Sequence, residues 1–233
     1  MLDTSANNKR IAKNTLMLYF RMVLLLVISL YTSRVILREL GVDDYGVYNV
    51  VGGIIVILSF LNQAMASGTQ RFLNVEMGKN NQKAVSKVFA TSQQIHFGVS
   101  FCMFIIAETV GLWFLNNYMN IPEGRLGAAN WVYQFSIISA IFGVFTVPYN
   151  ATIISHEKMS AFAYISIVEA VLKLLVAFAI IWAPYDKLII YAALIMLVSM
   201  INCVVYVNYG IKNFEECRHF TLKRNKLMMK QML

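Results

Sequence analysis

The stretch LMLYFRMVLLLVISLYTSRVIL, residues 16–37, decides the fold. A helix of about 20 apolar residues crosses a bilayer core of about 30 Å, and this run is that long. Lys9, Arg10 and Lys13 precede it. A basic flank ahead of an apolar run is also the design of a secretion signal. This run exceeds a signal's apolar region, however, and no A-x-A cleavage site follows it. It reads as an uncleaved first transmembrane helix.

Five further runs obey the same rule. The expected spans are 14–37, 45–70, 87–117, 126–154, 161–183 and 188–211, flanked by an N-terminal segment 1–13 and a basic tail 212–233. Pro148 falls near the inner end of the fourth span, and Ala183-Pro184-Tyr185-Asp186 closes the fifth as a turn. Composition agrees. Of the 233 residues 58% are apolar, enough for six spans, and only 14% are charged against about a quarter in soluble domains. Mean hydropathy is +0.60. The expected fold class is all-α, a polytopic membrane protein of six transmembrane helices. Disordered, collagen-like and disulfide-rich classes are excluded. Cys102, Cys203 and Cys217 show no CxxC spacing and read as small hydrophobes plus a free tail thiol.

The positive-inside rule sets the orientation. With the N-terminus inside, fourteen basic residues fall on the inner side: Lys9, Arg10, Lys13, Arg71, Lys79, Lys83, Lys87, Lys158, Lys212, Arg218, Lys223, Arg224, Lys226 and Lys230. Four fall outside, namely Arg34, Arg38, Arg125 and Lys187, while Arg21 and Lys173 lie within spans. Both termini are therefore expected in the cytoplasm, with the net charge of +8 largely facing anionic headgroups. Membrane lipids are the expected surroundings. A nucleic-acid partner is not expected, because the basic residues form no single patch and no RNP, zinc-finger or helix-turn-helix pattern occurs.

Catalytic motifs fail residue by residue. Asp43-Asp44 begins a DDxxD diphosphate–metal pattern, but position 47 is Val, so a short acidic turn at the outer surface is expected. His156-Glu157 begins HExxH, but position 160 is Ser. His96, His156 and His219 are scattered, and neither a P-loop nor GxSxG occurs. Asn150-Ala151-Thr152 matches a glycosylation sequon at the inner end of a span and reads as chance. No catalytic residue, metal site or cofactor is expected, and the chain is not read as an enzyme.

Ionisable groups inside a span are costly, about 2.5–3.5 kcal/mol on insertion scales, and so need a reason. Arg21 lies eight residues beyond Lys13, about 12 Å into the bilayer. Asn14, Arg21, Ile28 and Thr32 share its face, with Leu25 and Ser29 beside them. That stripe either lines a water-accessible cavity or lets Arg21 snorkel inward. Glu169 and Lys173 are i, i+4 on the fifth helix. They either neutralise each other or form a lumen-facing site that exchanges internal pairing for an anionic ligand. Glu108 has no charged neighbour on its own helix and needs a partner on another, or a proton or cation. Asn62-Gln63 and Gln93-Gln94 add polar clusters that either pack between helices or line the same cavity.

Three segments carry a family likeness. SRVILRELGVDDYGVYNVVGG (33–53) resembles the xRxLGxxDYGxY signature of polysaccharide flippases. VPYNATIISHEKMSAFAYISIVEAVLKLL (147–175) and SGTQRFLNVEMGKNN (67–81) resemble that family's fourth-to-fifth-helix region and the end of its second helix. The family is the O-antigen and capsule lipid-linked oligosaccharide flippases, within the multidrug/oligosaccharidyl-lipid/polysaccharide exporter superfamily. Its members have two six-helix lobes around a central cavity, and this chain resembles the first lobe. KLMMKQML (226–233) is similar to the amphipathic lead into a seventh helix, so a missing C-terminal lobe is expected as partner.

The resemblance implies a bacterial inner-membrane protein that turns undecaprenyl-diphosphate-linked oligosaccharide from the inner to the outer leaflet by alternating access, with no covalent chemistry. A diphosphate needs cations, and Arg suits it through paired hydrogen bonds. Arg21 and Lys173 are the substrate-binding candidates, with Arg34 and Arg38 at the outer mouth and Glu169 and Glu108 as ion-coupling candidates. The rivals are a drug or cation extruder of the same superfamily, a membrane glycosyltransferase or polymerase, and a non-transporting membrane scaffold. The basic intramembrane residues favour an anionic substrate over a cationic drug, and the short external linkers count against the glycosyltransferase or polymerase.

Overall fold

The computed structural model describes residues 4–218, with side chains described at position 12 and from 14 onward except 54, 57–61 and 63. The tail from 219, including His219, and the side chains of Lys9, Arg10, Lys13 and Gln63 lie outside the described residues. Every long element is helical, and no strand occurs among the described residues. The first helical stretch, Thr4–Gly78, is broken at Gly41, where φ is 78° and ψ is 174°. It is therefore two helices, α1 (4–40) and α2 (42–78). Next come α3 (Gln82–Asn117), α4 (Leu126–Ser155), α5 (Met159–Ala179) and α6 (Lys187–Asn213). Five stretches are long and apolar enough to cross a membrane: Asn14–Gly53, Gln82–Asn117, Leu126–Ser155, Met159–Trp182 and Lys187–Asn213. The described residues are thus all-helical, with long apolar helices of the kind a membrane protein needs.

Local chemistry sets the joints. The backbone region occupied by Gly41 is open essentially to glycine alone. A Cβ there would meet nothing within 4 Å, so torsion and not crowding demands the glycine. The chain needs only this one non-helical residue to reverse. The expected linker between 37 and 45 is consequently helical nearly throughout. Asn81 caps α3 by accepting from Ala84 N at 3.1 Å. Asp186 caps α6 by accepting from Leu188 N at 3.0 Å and Ile189 N at 3.4 Å.

Three apolar clusters join the helices. Val47 and Val51 of α2, Leu115 of α3, Tyr133 of α4 and Leu188 of α6 meet at the end that the charge distribution assigns to the outside. Leu73, Phe89, Ile153 and Tyr206 join α2, α3, α4 and α6 at the opposite end. Ile36, Ala177, Tyr191 and Val198 hold α1 to α5 and α6. α4 is the most enclosed helix, with 44% of its apolar window buried against 6% for the first stretch. Along α1, Leu16, Phe20, Val23 and Val27 stand exposed, the distribution expected of a helix facing lipid.

Polar fasteners sit at both ends. At the outer end Arg125 donates from Nη1 to Asp186 Oδ2 at 2.6 Å and from Nε to Asp44 Oδ1 at 2.7 Å, and its Nη2 also meets Asp44. Burial is the largest single influence on the Asp186 carboxyl and raises it, but the hydrogen bond and charge of Arg125, together with the Ile189 and Leu188 amides, more than offset it and hold the group below the usual aspartate range. Beside this knot, Lys187 reaches Glu39 at 3.2 Å. At the inner end Glu216, almost fully buried, meets His156 Nε2 at 2.5 Å and accepts from Gln82 Nε2 at 3.0 Å. Burial again pushes upward, and the His156 bond leads the contacts that hold this carboxyl below the usual glutamate range.

Candidate functional site

α1, α5 and α6 leave an open groove of about 380 Å³ between them. α1 contributes Arg21, Leu25, Ile28, Ser29, Thr32 and Ser33. The spacing explains this wall: steps of three and four keep these residues on one side of a 3.6-residue helix. α5 contributes Ser166, Glu169 and Lys173 by the same periodicity, and Tyr191 of α6 closes the upper end.

Three charges share the groove. Lys173 Nζ donates to Glu169 Oε1 at 2.6 Å, so the i, i+4 spacing closes into an ion pair. Asn202 of α6 donates to the other oxygen, Oε2, at 3.0 Å. Both oxygens of Glu169 are thus occupied. Arg21 is not so provided for. Its guanidinium carbon stands 4.2 Å from the centroid of the Phe162 ring, a cation–π contact that covers one face. Its Nε is buried without a hydrogen-bond partner, and among the described residues no acid pairs with it. One acid against two bases leaves the groove with an excess positive charge, carried by a guanidinium that no acid neutralises.

The other sequence candidates stand elsewhere. Arg34 is exposed and lies outside the groove lining. Arg38, also exposed, is held by Glu39 at 3.0 Å. Glu108 is on α3, in a π-turn spanning Ala107–Gly111. Such a turn frees backbone carbonyls. Tyr133 donates to that of Ala107 at 2.8 Å, and Thr109 to that of Ile105 at 2.7 Å. Glu108 finds its interhelical partner in Gln134, which donates to Oε2 at 3.2 Å, while Oε1 is buried without one. The structure therefore brings Arg21, Glu169 and Lys173 together and leaves Arg34, Arg38 and Glu108 apart.

Sequence reasoning missed Asn202, Phe162 and Ser166. Ser166 was discoverable, since it lies three residues before Glu169 on the face of α5 that carries Lys173. Asn202 and Phe162 belong to the groove only through packing between helices. Among the described residues no three His, Cys, Asp or Glu side chains gather as metal ligands. Compared with known protein families, curated proteins and solved structures, the chain matches none.

Proposed function

We propose that this chain is one lobe of a two-lobe membrane exporter, and that the groove between α1, α5 and α6 holds the anionic head of a lipid-linked oligosaccharide while it passes between leaflets. The observation that supports this most is the company Arg21 keeps: an intramembrane guanidinium, stacked on Phe162, with no acid to neutralise it, in an open groove of about 380 Å³. A charge held that way inside a span is costly unless a ligand completes it. A diphosphate brings several acceptor oxygens and matches a guanidinium edge through paired bonds. Lys173 can add a second contact by leaving Glu169, whose charge Asn202 continues to hold. Serine and threonine hydroxyls along α1 suit sugar hydroxyls. Flipping on this account makes and breaks no covalent bond. The second lobe supplies the facing wall, and the two rock about the bound head.

A cationic substrate is the poorer fit, since the one acid in the groove is already doubly hydrogen-bonded while the arginine is not. Glu169 and Glu108 remain the ion-coupling candidates of this reading, Glu108 by virtue of its unpartnered oxygen. On this reading the chain lies in the inner membrane, as the family resemblance implies, with the inward-facing termini that the positive-inside rule leads one to expect.

The test is complementation. The chain, within its full-length gene, is expressed in a strain lacking its polysaccharide flippase, and surface polysaccharide is measured. Export is expected, with Arg21→Ala reducing it at least tenfold at equal membrane abundance, a loss of the order of one charged hydrogen-bond contact. Wild-type export by Arg21→Ala removes Arg21 from the site, and no export by the unaltered gene sinks the flippase reading.

A further inference from the structure

A second cavity, of about 280 Å³, opens between α3, α4 and α6, and the export reading makes no use of it. Its walls are largely rings, among them Phe97, Phe142 and Phe145, with Phe97 and Phe145 stacked at 6.3 Å. No charged side chain lines it among the described residues. Its polar groups come from His96 and Gln93, one turn apart on α3, with Tyr149 of α4 and Cys203 of α6.

His96 and Gln93 are each left with an unpartnered atom. His96 is 1% exposed. Its Nδ1 lies 2.7 Å from the Ser92 carbonyl, which can only accept, so Nδ1 carries the proton and Nε2 presents a lone pair. That Nε2 is buried and has no partner. The Ser92 hydroxyl lies 3.3 Å from the same Nδ1 and 2.8 Å from Thr69 Oγ1 of α2, so the polar contacts of the ring all gather on its Nδ1 side. Gln93 joins its amide to Tyr149 Oη at 2.8 Å, and its remaining amide atom, Oε1, is likewise buried and unpartnered.

We propose that this cavity binds a neutral, membrane-soluble alcohol, its hydroxyl seated between His96 and Gln93 and its apolar body among the phenylalanines. A hydroxyl both donates and accepts. It can donate to His96 Nε2 and meet the free atom of Gln93 whichever way that amide is turned. An ammonium group fits less well, because no carboxylate lines the cavity to balance its charge. Water alone fits less well too. The cavity of about 280 Å³ has room for several waters, but its largely aromatic wall offers most of them no hydrogen-bond partner. One hydroxyl on an apolar body satisfies the polar pair and fills the rest. The site is independent of the groove and stands or falls without it.

The probe is 3-phenylpropanol, with its methyl ether as control, titrated into the full chain in lipid nanodiscs. The chain has only 3 histidines, so ring-nitrogen-15 labelling reads His96 directly, with His96→Gln giving the assignment. A saturable shift of the His96 Nε2 resonance is expected with the alcohol. Half-saturation by the ether should come at about tenfold higher concentration, the equivalent of one lost hydrogen bond. His96→Leu should weaken the alcohol to the level of the ether, read by saturation transfer to the probe. Equal affinity for alcohol and ether would show that the cavity takes apolar bulk only. A response that does not saturate would show that it takes neither. Either result overturns the proposal, and both are read on the unaltered chain.

Discussion

Two arginines in this molecule live opposite lives. Arg125 sits at one end of the bundle with two carboxylates, Asp44 and Asp186, gathered around it from two other parts of the chain. Arg21 sits within a span with an aromatic ring on one side, an unpartnered Nε and no acid. The first is a finished interaction whose removal strands two part-buried charges. The second is an unfinished one, costly in the resting protein. Charge satisfied by the protein's own groups serves stability, whereas charge left unsatisfied at the same kind of residue is available to a ligand. The same reasoning separates Glu216, nearly buried and held by His156 and Gln82, from the half-exposed pair Glu169–Lys173, whose members can part.

The comparison can be broken most sharply at the knot. Arg125→Met should cost about 3 kcal/mol, the low end for removing one partner of a buried ionic group, since the three side chains are only partly covered. A thermal or denaturant melt of the purified chain in detergent reads it, and an unchanged melt would reduce the knot to a surface ornament. Asp44→Asn and Asp186→Asn, alone and combined with Arg125→Met, then apportion the loss by double-mutant cycles.

Gly41→Ala comes next, at about 2 kcal/mol, because alanine must adopt a torsion pair essentially reserved for glycine. The neighbouring space is empty, so the same melt separates torsional strain from crowding: Gly41→Ser should cost about as much as Gly41→Ala.

Acid supplies a gentler lever. Asp186 and Glu216 both ionise below their usual ranges when folded. The stability they lend is complete above the unfolded carboxylate values of about 4 and drains away as pH falls through the lower folded ones. Their contribution should be flat between about pH 5 and 8 and decline below about pH 4. Glu216→Gln should flatten that acid limb in a melt-versus-pH series, and an unaltered limb would place the acid sensitivity elsewhere.

The smallest effect on stability belongs to the groove. Arg21→Leu should change the melt by less than about 0.5 kcal/mol, or stabilise slightly, because it removes an unsatisfied buried donor. Lys173→Met should do as little, its pair being partly exposed. Export in the complementation assay should nevertheless fall with either. Loss of stability and export together at Arg21 would mean that the two arginines do the same job.

Much of this was legible in the sequence, and the limits are physical. The spans show because lipid imposes one requirement, a long apolar helix, that composition satisfies residue by residue. The groove wall of α1 shows because Arg21, Ser29 and Thr32 obey the helical period on their own element, and Glu169–Lys173 shows for the same reason. The knot did not show. Asp44 and Asp186 lie 81 and 61 residues from Arg125, and no local pattern connects them. The topology expected from the sequence holds the missing signal, since it assigns Asp44, Arg125 and Asp186 to linkers at the same end of the bundle. Asn202 and Phe162 stayed hidden because only the packing of α6 and α5 brings them to Glu169 and Arg21.

The wide turn at Ala107–Gly111 settles the rotational phase of α3. His96 and Leu115, both turned toward the bundle, are nineteen positions apart, and at about 100° per residue a regular α-helix would set them roughly a quarter-turn out of alignment. A π-turn absorbs one extra residue and cancels that drift. Straightening the turn into regular α-helix without removing a residue would swivel everything beyond it by about 100° and turn Leu115 away from the bundle, whereas excising one residue from the turn would leave a regular helix with Leu115 still in place. The irregularity is what keeps both halves of the helix in register with their neighbours.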